Sequence, residues 1–148
     1  MSAETGSAEG PSHSPLGRLE YLYVGSSRFE DDLHYYEVVL GAKKVWHFHK
    51  FGARVAAFRL ADGPLYLIAD HRSSPSVLPV FGVRDLDATV ADLKRRGWTS
   101  EEGPFGIPDG PCYLFRDPSG NQLAVFGNER PDALGRAYDD PENDAAVR

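Results

Sequence analysis

The chain has 148 residues, of which 41% are hydrophobic and 26% charged, with a net charge of −6 and one cysteine. That length suits one globular domain, or two small fused modules, with a sizeable core. No run approaches the ~20 apolar residues of a membrane span, the N-terminus lacks a secretory pattern, and the lone Cys112 excludes an intrachain disulfide, a zinc knuckle and a CxxC pair, so the expectation is a cytoplasmic protein with a buried, inert thiol.

The negative charge is unevenly spread. Residues 18–128 carry 13 basic and 14 acidic groups, so the excess sits in the two tails. It favours solubility and argues against nucleic-acid binding without marking an acidic pocket.

Residues 1–17 are rich in Ser, Gly, Pro and Glu and read as a disordered arm. Leu19 to Val24 has the aromatic and β-branched content of a strand. Gly25-Ser26-Ser27 ends it, and either serine can cap a helix on which Phe29, Leu33, Tyr36 and Leu40 recur at helical spacing up to Gly41. Lys44 to His49, Arg54 to Leu60 and Leu65 to Ala69 read as three strands, divided by Phe51-Gly52 and by Ala61-Asp62-Gly63-Pro64.

The order then repeats after about 55 residues. Val77 to Val83 is a strand, and Asp85 to Arg96 is a helix burying Leu86, Val90 and Leu93 before Gly97. Trp98 opens another strand, and a Gly/Pro-rich loop runs from Gly103 to Pro111. Cys112 to Phe126 reads as a hairpin around Asp117-Pro118-Ser119-Gly120, with Asp117 accepting local N–H groups and Gly120 supplying φ > 0. Beyond the turn Gln122, Ala124 and Phe126 share one face, and Leu123 and Val125 the other. The acidic segment 129–148 reads as a disordered tail, or as one that Leu134 and Tyr138 clip to the domain or to a partner subunit.

Two βαβββ modules, a helix closing on Tyr36-Glu-Val-Val-Leu-Gly41 and the final Asp117-Pro-Ser-Gly-Asn-Gln-Leu resemble the vicinal oxygen chelate superfamily, which includes glyoxalase I, extradiol dioxygenases and bleomycin-resistance proteins. The resemblance covers residues 18–128, with module one at 18–74 and module two at 75–128. It implies an α+β fold whose mixed sheet forms a cup around a cavity, in which metal-dependent members place four His, Gln or Glu ligands. On this chain those positions fall on Tyr21, on Leu67 (or Ile68 with a one-residue slip), on Leu78 and on Ala124. Only the phenol of Tyr21 is a donor, and neutral tyrosine, with a pKa near ~10, is a poor ligand for a divalent ion. Glu20 is a neighbouring ligand type on the opposite face. The expectation is therefore no metal and no cofactor.

Other chemistry is thinly represented. His47 and His49 in Trp46-His47-Phe48-His49 share a face about ~7 Å apart and can chelate, but the neighbouring strand Arg54 to Leu60 adds no ligand, so solvent-facing histidines are the better reading. Asp70 and His71 adjoin at a strand end, point apart, and read as a loop. No nucleophile elbow or phosphate loop is present, and no catalytic residue can be assigned.

Aromatic residues remain. Tyr21, Tyr23 and Phe126 share parity with the inherited positions, and with Trp46, Phe48, Tyr66, Leu78, Tyr113 and Ala124 they form the expected wall of a ligand cavity. Function by resemblance is then sequestration of a small organic, aromatic molecule by a homodimer, as in bleomycin resistance. The alternative is a lyase, isomerase or dioxygenase of the same fold with displaced metal ligands, or with acid–base catalysis by His47, His49 or Tyr21.

Overall fold

A computed structural model describes residues 14–50 and 52–130. Eight strands form one mixed sheet: β1 (Arg18–Gly25), β2 (Lys43–Lys50), β3 (Ala53–Arg59), β4 (Leu65–Ala69), β5 (Val77–Val83), β6 (Glu102–Ile107), β7 (Gly110–Arg116) and β8 (Gln122–Gly127). Their spatial order is β2-β3-β4-β1-β5-β8-β7-β6. Within the modules β1 runs parallel to β4 and β5 parallel to β8, while β1 and β5 join the modules antiparallel. The α+β architecture of two tandem βαβββ units is thus realised.

One face of the sheet packs under the helices. Phe29 and Leu33 of α1 (Phe29–His34) bury against Ala56, Phe58 and Ile68. In the second module Leu86 and Val90 of α2 (Leu86–Arg95) bury against Val83, Phe115 and Val125. Asp85 caps α2 by accepting the Ala88 N–H at 3.0 Å. The opposite face carries two further clusters, one around Trp46, Val55 and Leu67, the other around Leu78, Val80, Cys112, Ala124 and Phe126. Tyr21 and Tyr23 on β1 contact both. Residues from the outer strands β2 and β6 line one hollow on this face, so the sheet is curled around it.

The Asp117 turn forms as its residues dictate. The carboxylate accepts the N–H groups of Ser119 and Asn121 at 3.0 and 2.8 Å, and Gly120 sits at φ +90°. Past it, Ala124 and Phe126 face the hollow side while Leu123 and Val125 face α2.

Several expectations need correction. The first helix is regular only to His34; Leu40 N–H then bonds to Tyr35 O at 2.9 Å, an i→i+5 turn spanning Tyr35–Val39. That wider turn rotates the helical phase, which leaves Leu40 48% exposed. No serine caps this helix: Arg28 occupies the N-cap, and Ser26 Oγ donates to Asp32 instead. The segment from Gly103 is a strand, β6, hairpinned to β7, whereas Trp98 lies outside the sheet and packs edge-on to Tyr113 and Phe115. Leu16, assigned to the N-terminal arm, packs on the α2-side core; residues 1–13 of that arm lie outside the described residues. At the other end Glu129 and Arg130 N–H groups bond to Asp109 O at 3.0 and 2.9 Å. Leu134 and Tyr138 lie outside the described residues.

His47 is not solvent-facing. Its ring lies 5.5 Å from Phe29 beneath α1, and burial, more than the nearby Lys44 charge, pulls its pKa below the ordinary value. The unfolded chain takes up a proton at His47 near ~6.5 while the folded chain does not, so stability falls as pH drops below that value, down to the lowered folded pKa. The urea midpoint should therefore decline on acidification, and His47→Gln should make that decline shallower.

Candidate functional site

The curled face encloses a cavity of about 390 Å³, a size suited to a small organic ligand. β1 crosses its floor with Tyr21 and Tyr23, neighbours on one face because they lie two residues apart. The register then decides which residues join them. Tyr23 pairs with Leu67 and Leu78, and Val80 pairs with both Tyr21 and Ala124. Trp46 and Phe48 stack at 5.3 Å on the β2 side, and Phe105, Ile107, Cys112 and Leu114 close the β6–β7 side.

Five polar side chains interrupt this apolar lining: Tyr21, Tyr23, His71, Arg72 and Asp109. Tyr21 donates its hydroxyl proton to Asp109 Oδ2 at 2.7 Å, and Asp109 is only 3% exposed. The turn carrying Asp109 is held by Arg130, whose guanidinium donates to Pro108 O at 2.7 Å and Ile107 O at 3.0 Å. Gly110 is obligatory beside it, because a Cβ there would lie 1.9 Å from Gly127 O.

Across the cavity Tyr23 Oη and His71 Nε2 are hydrogen-bonded at 2.9 Å, and the Arg72 guanidinium carbon lies 5.3 Å from the Tyr23 ring centre. Burial pushes the Tyr23 phenol up to about 12, with Arg72 opposing and Asp70 adding to the shift. Gly25 lets the segment after His71 fold against β1, since a Cβ would collide with Ser73 O at 1.9 Å. Burial, with Glu102 adding, likewise pushes the Cys112 thiol up to about 12, so it stays protonated.

Of the residues expected to form a ligand wall, Tyr21, Tyr23, Trp46, Phe48, Leu78 and Ala124 line the cavity. Tyr66 and Tyr113 do not. Tyr66 packs with Tyr36 below α1, and Tyr113 packs with Trp98 on the α2 side. Adjacent strand residues face opposite ways, so Leu67 and the pair Cys112 and Leu114 take their places. Phe126 is on the cavity side but lies under Tyr21, ring centres 6.0 Å apart, and is 1% exposed.

The sequence reading places His71 on a loop without a role and does not single out Arg72 or Asp109, all of which line the cavity. A signal for Asp109 existed, since Ile107-Pro108-Asp109-Gly110 is a turn sequence between two strands. His47, His49 and Glu20 are not among the cavity's lining residues. Asp70 is committed elsewhere: Arg54 gives it a backbone N–H at 2.8 Å and its Nε at 3.2 Å. These bonds and the Arg54 charge outweigh the effect of burial and hold its carboxyl below the ordinary range.

Residues 18–125 match the family model of the Glyoxalase/Bleomycin resistance protein/Dioxygenase superfamily. The chain belongs to this superfamily. Solved structures similar to this superfamily member include methylmalonyl-CoA epimerase from Mycobacterium tuberculosis, at 15% identity and TM-score 0.65 over 84% of this chain and 96% of that one. A hypothetical protein from Bacillus halodurans matches at 11% identity and TM-score 0.63, over 76% and 95% of the two chains. A variant of Streptomyces coelicolor methylmalonyl-CoA epimerase in complex with 2-nitronate-propionyl-CoA matches at 14% and 0.61, over 77% and 99%. At such identities the likeness concerns the fold. No curated protein sequence matches the chain.

The superfamily's metal site is not supported by the donors present. Tyr21, Leu67, Leu78 and Ala124 all reach the cavity, but three are hydrocarbon and the fourth gives its proton to Asp109. A hard or borderline divalent ion needs several oxygen or nitrogen donors, and this set does not fit one. Among the described residues no group of three or more His, Cys, Asp or Glu is placed to hold a metal.

Proposed function

We propose that the protein binds a small, largely apolar organic molecule, aromatic in character, in the concave cavity and sequesters it without a metal. The observation that carries this reading is the convergence of Tyr21, Leu67, Leu78 and Ala124 on one hollow whose remaining walls are mostly aromatic and aliphatic. Stacked Trp46 and Phe48 offer flat surfaces for a ring, and burial of apolar area supplies the affinity at ~25 cal/mol per Å².

The reading includes a homodimer and a cytoplasmic location. Exposed Tyr35, Val38, Val39 and Leu40 form an apolar run after α1, and the outer edges of β2 and β6 are joined by no further described strand, both of which favour association. No described helix is long and apolar enough to cross a membrane.

One observation favours a second, enzymatic reading: the Tyr21 hydroxyl held by the buried Asp109 carboxylate inside the cavity, an arrangement that could pass a proton to or from a bound molecule without a metal.

Calorimetric titration with naphthamide, a neutral aromatic probe, tests the main reading. Saturable one-to-one binding in the micromolar range, unchanged by EDTA, is expected. Binding that disappears with chelation and returns with a divalent ion would overturn it.

A further inference from the structure

Resting on that reading of the cavity, we infer that its ligand is an organic acid, whose carboxylate is received by Arg72 at the Tyr23 side while its apolar body fills the hollow. Arg72 is partly buried and lines the cavity. Its Nε is buried with no hydrogen-bond partner among the described residues, although a buried guanidinium donor normally has one.

The charge of Arg72 is also unmatched locally. The carboxylate nearest to it in sequence, Asp70, is taken by Arg54, whose guanidinium also reaches Glu30 at 2.6 Å. No described carboxylate is ion-paired with Arg72, which instead rests over the face of the Tyr23 ring. His71 stands beside it, hydrogen-bonded to the Tyr23 hydroxyl, and the one carboxylate felt at Tyr23, Asp70, is already held by Arg54.

Asp109 does not cancel that preference. It accepts from Tyr21, one strand repeat away from Tyr23 and so ~7 Å along β1. The cavity therefore has a cationic station at Tyr23, with the Tyr21–Asp109 hydrogen bond one repeat along β1. An acid with a single carboxylate is oriented with its charge at Arg72 and its ring away from it. A planar guanidinium matches a carboxylate with two parallel N–H donors.

The test compares naphthoate with its neutral amide, naphthamide, and with naphthylmethylammonium, by calorimetry on the full chain. A charge-assisted hydrogen bond predicts that naphthoate binds about ten-fold or more tightly than naphthamide, with the ammonium weakest. Arg72→Met should bring the naphthoate-to-naphthamide ratio close to one, and Arg72→Lys should keep part of it. Should the methionine variant not fold, the wild-type ratio and Arg72→Lys decide the matter. Equal binding of naphthoate and naphthamide to the wild type, or a ratio untouched in Arg72→Met, would overturn the inference while leaving the apolar cavity in place. Failure of all three probes to bind would overturn both. Tighter binding of the ammonium would assign the charge recognition to Asp109 instead.

Discussion

Ala124→Phe is expected to weaken naphthamide binding by about a hundred-fold while the protein remains folded. Ala124 is 2% exposed and its methyl lies between Val80 and Leu114 on the cavity floor. A phenyl group there can extend only into the hollow, where it takes the place of a ligand ring. Forfeiting on the order of 100 Å² of buried probe surface costs ~2.5 kcal/mol, which is close to two decades in affinity. Since the new ring enters open space, the overpacking penalty of ~1–3 kcal/mol stays at its lower end. Calorimetry and thermal unfolding read the two effects separately. An affinity within a few-fold of the parent would mean that the ligand does not sit over Ala124.

Phe126→Ala is expected to act in the opposite way, with a large loss of stability and a smaller loss of binding. Phe126 is 1% exposed, stacks on Tyr21 with rings inclined by 16°, and leaves so little room that a Cβ at Gly82 would lie 3.0 Å from its Cζ. Truncating a buried phenylalanine typically costs ~3–5 kcal/mol, a large share of the ~5–15 kcal/mol that holds a domain folded. Tyr21 would lose the shelf that fixes its ring, so naphthamide affinity should drop several-fold as a consequence. Urea unfolding should show a strongly reduced midpoint. A midpoint close to the parent's would mean that Phe126 is not the support described.

Much of the fold was legible because local chemistry and tertiary structure agree. Gly41 and Gly97 follow the two helical segments with φ of +68° and +96°. Asp117 and Gly120 make the turn that their residue types suit, and alternation beyond it correctly separates Ala124 and Phe126 from Leu123 and Val125. Where an irregularity intervenes, the pattern misleads. The wide turn at Tyr35–Val39 exposes Leu40, and register shifts between Leu19 and Tyr21 and between Lys44 and Trp46 interrupt simple counting along β1 and β2.

The cavity was legible only in part for a related reason. Counting from the turn and helix motifs reached Tyr21, Leu67, Leu78 and Ala124, which converge on the hollow. Aromatic content alone could not separate Tyr66 and Tyr113 from their neighbours, although strand parity places Leu67 and Leu114 on the cavity side in their stead. Asp109 gains its meaning from Tyr21, 88 residues away, and Arg72 from a turn that doubles back on Tyr23. Contacts of that separation leave no periodic trace in the sequence.

The proposed apolar site lies on the concave face around Tyr21, Leu67, Leu78 and Ala124. Backbone amide NMR followed through the naphthamide titration locates the bound probe. Shifts concentrated at Tyr21, Tyr23, Leu67, Leu78 and Ala124, with Tyr66, Tyr113 and α1 little changed, are the predicted result. Shifts centred on the helix-covered face, or saturating binding that leaves the cavity residues unmoved, would contradict it.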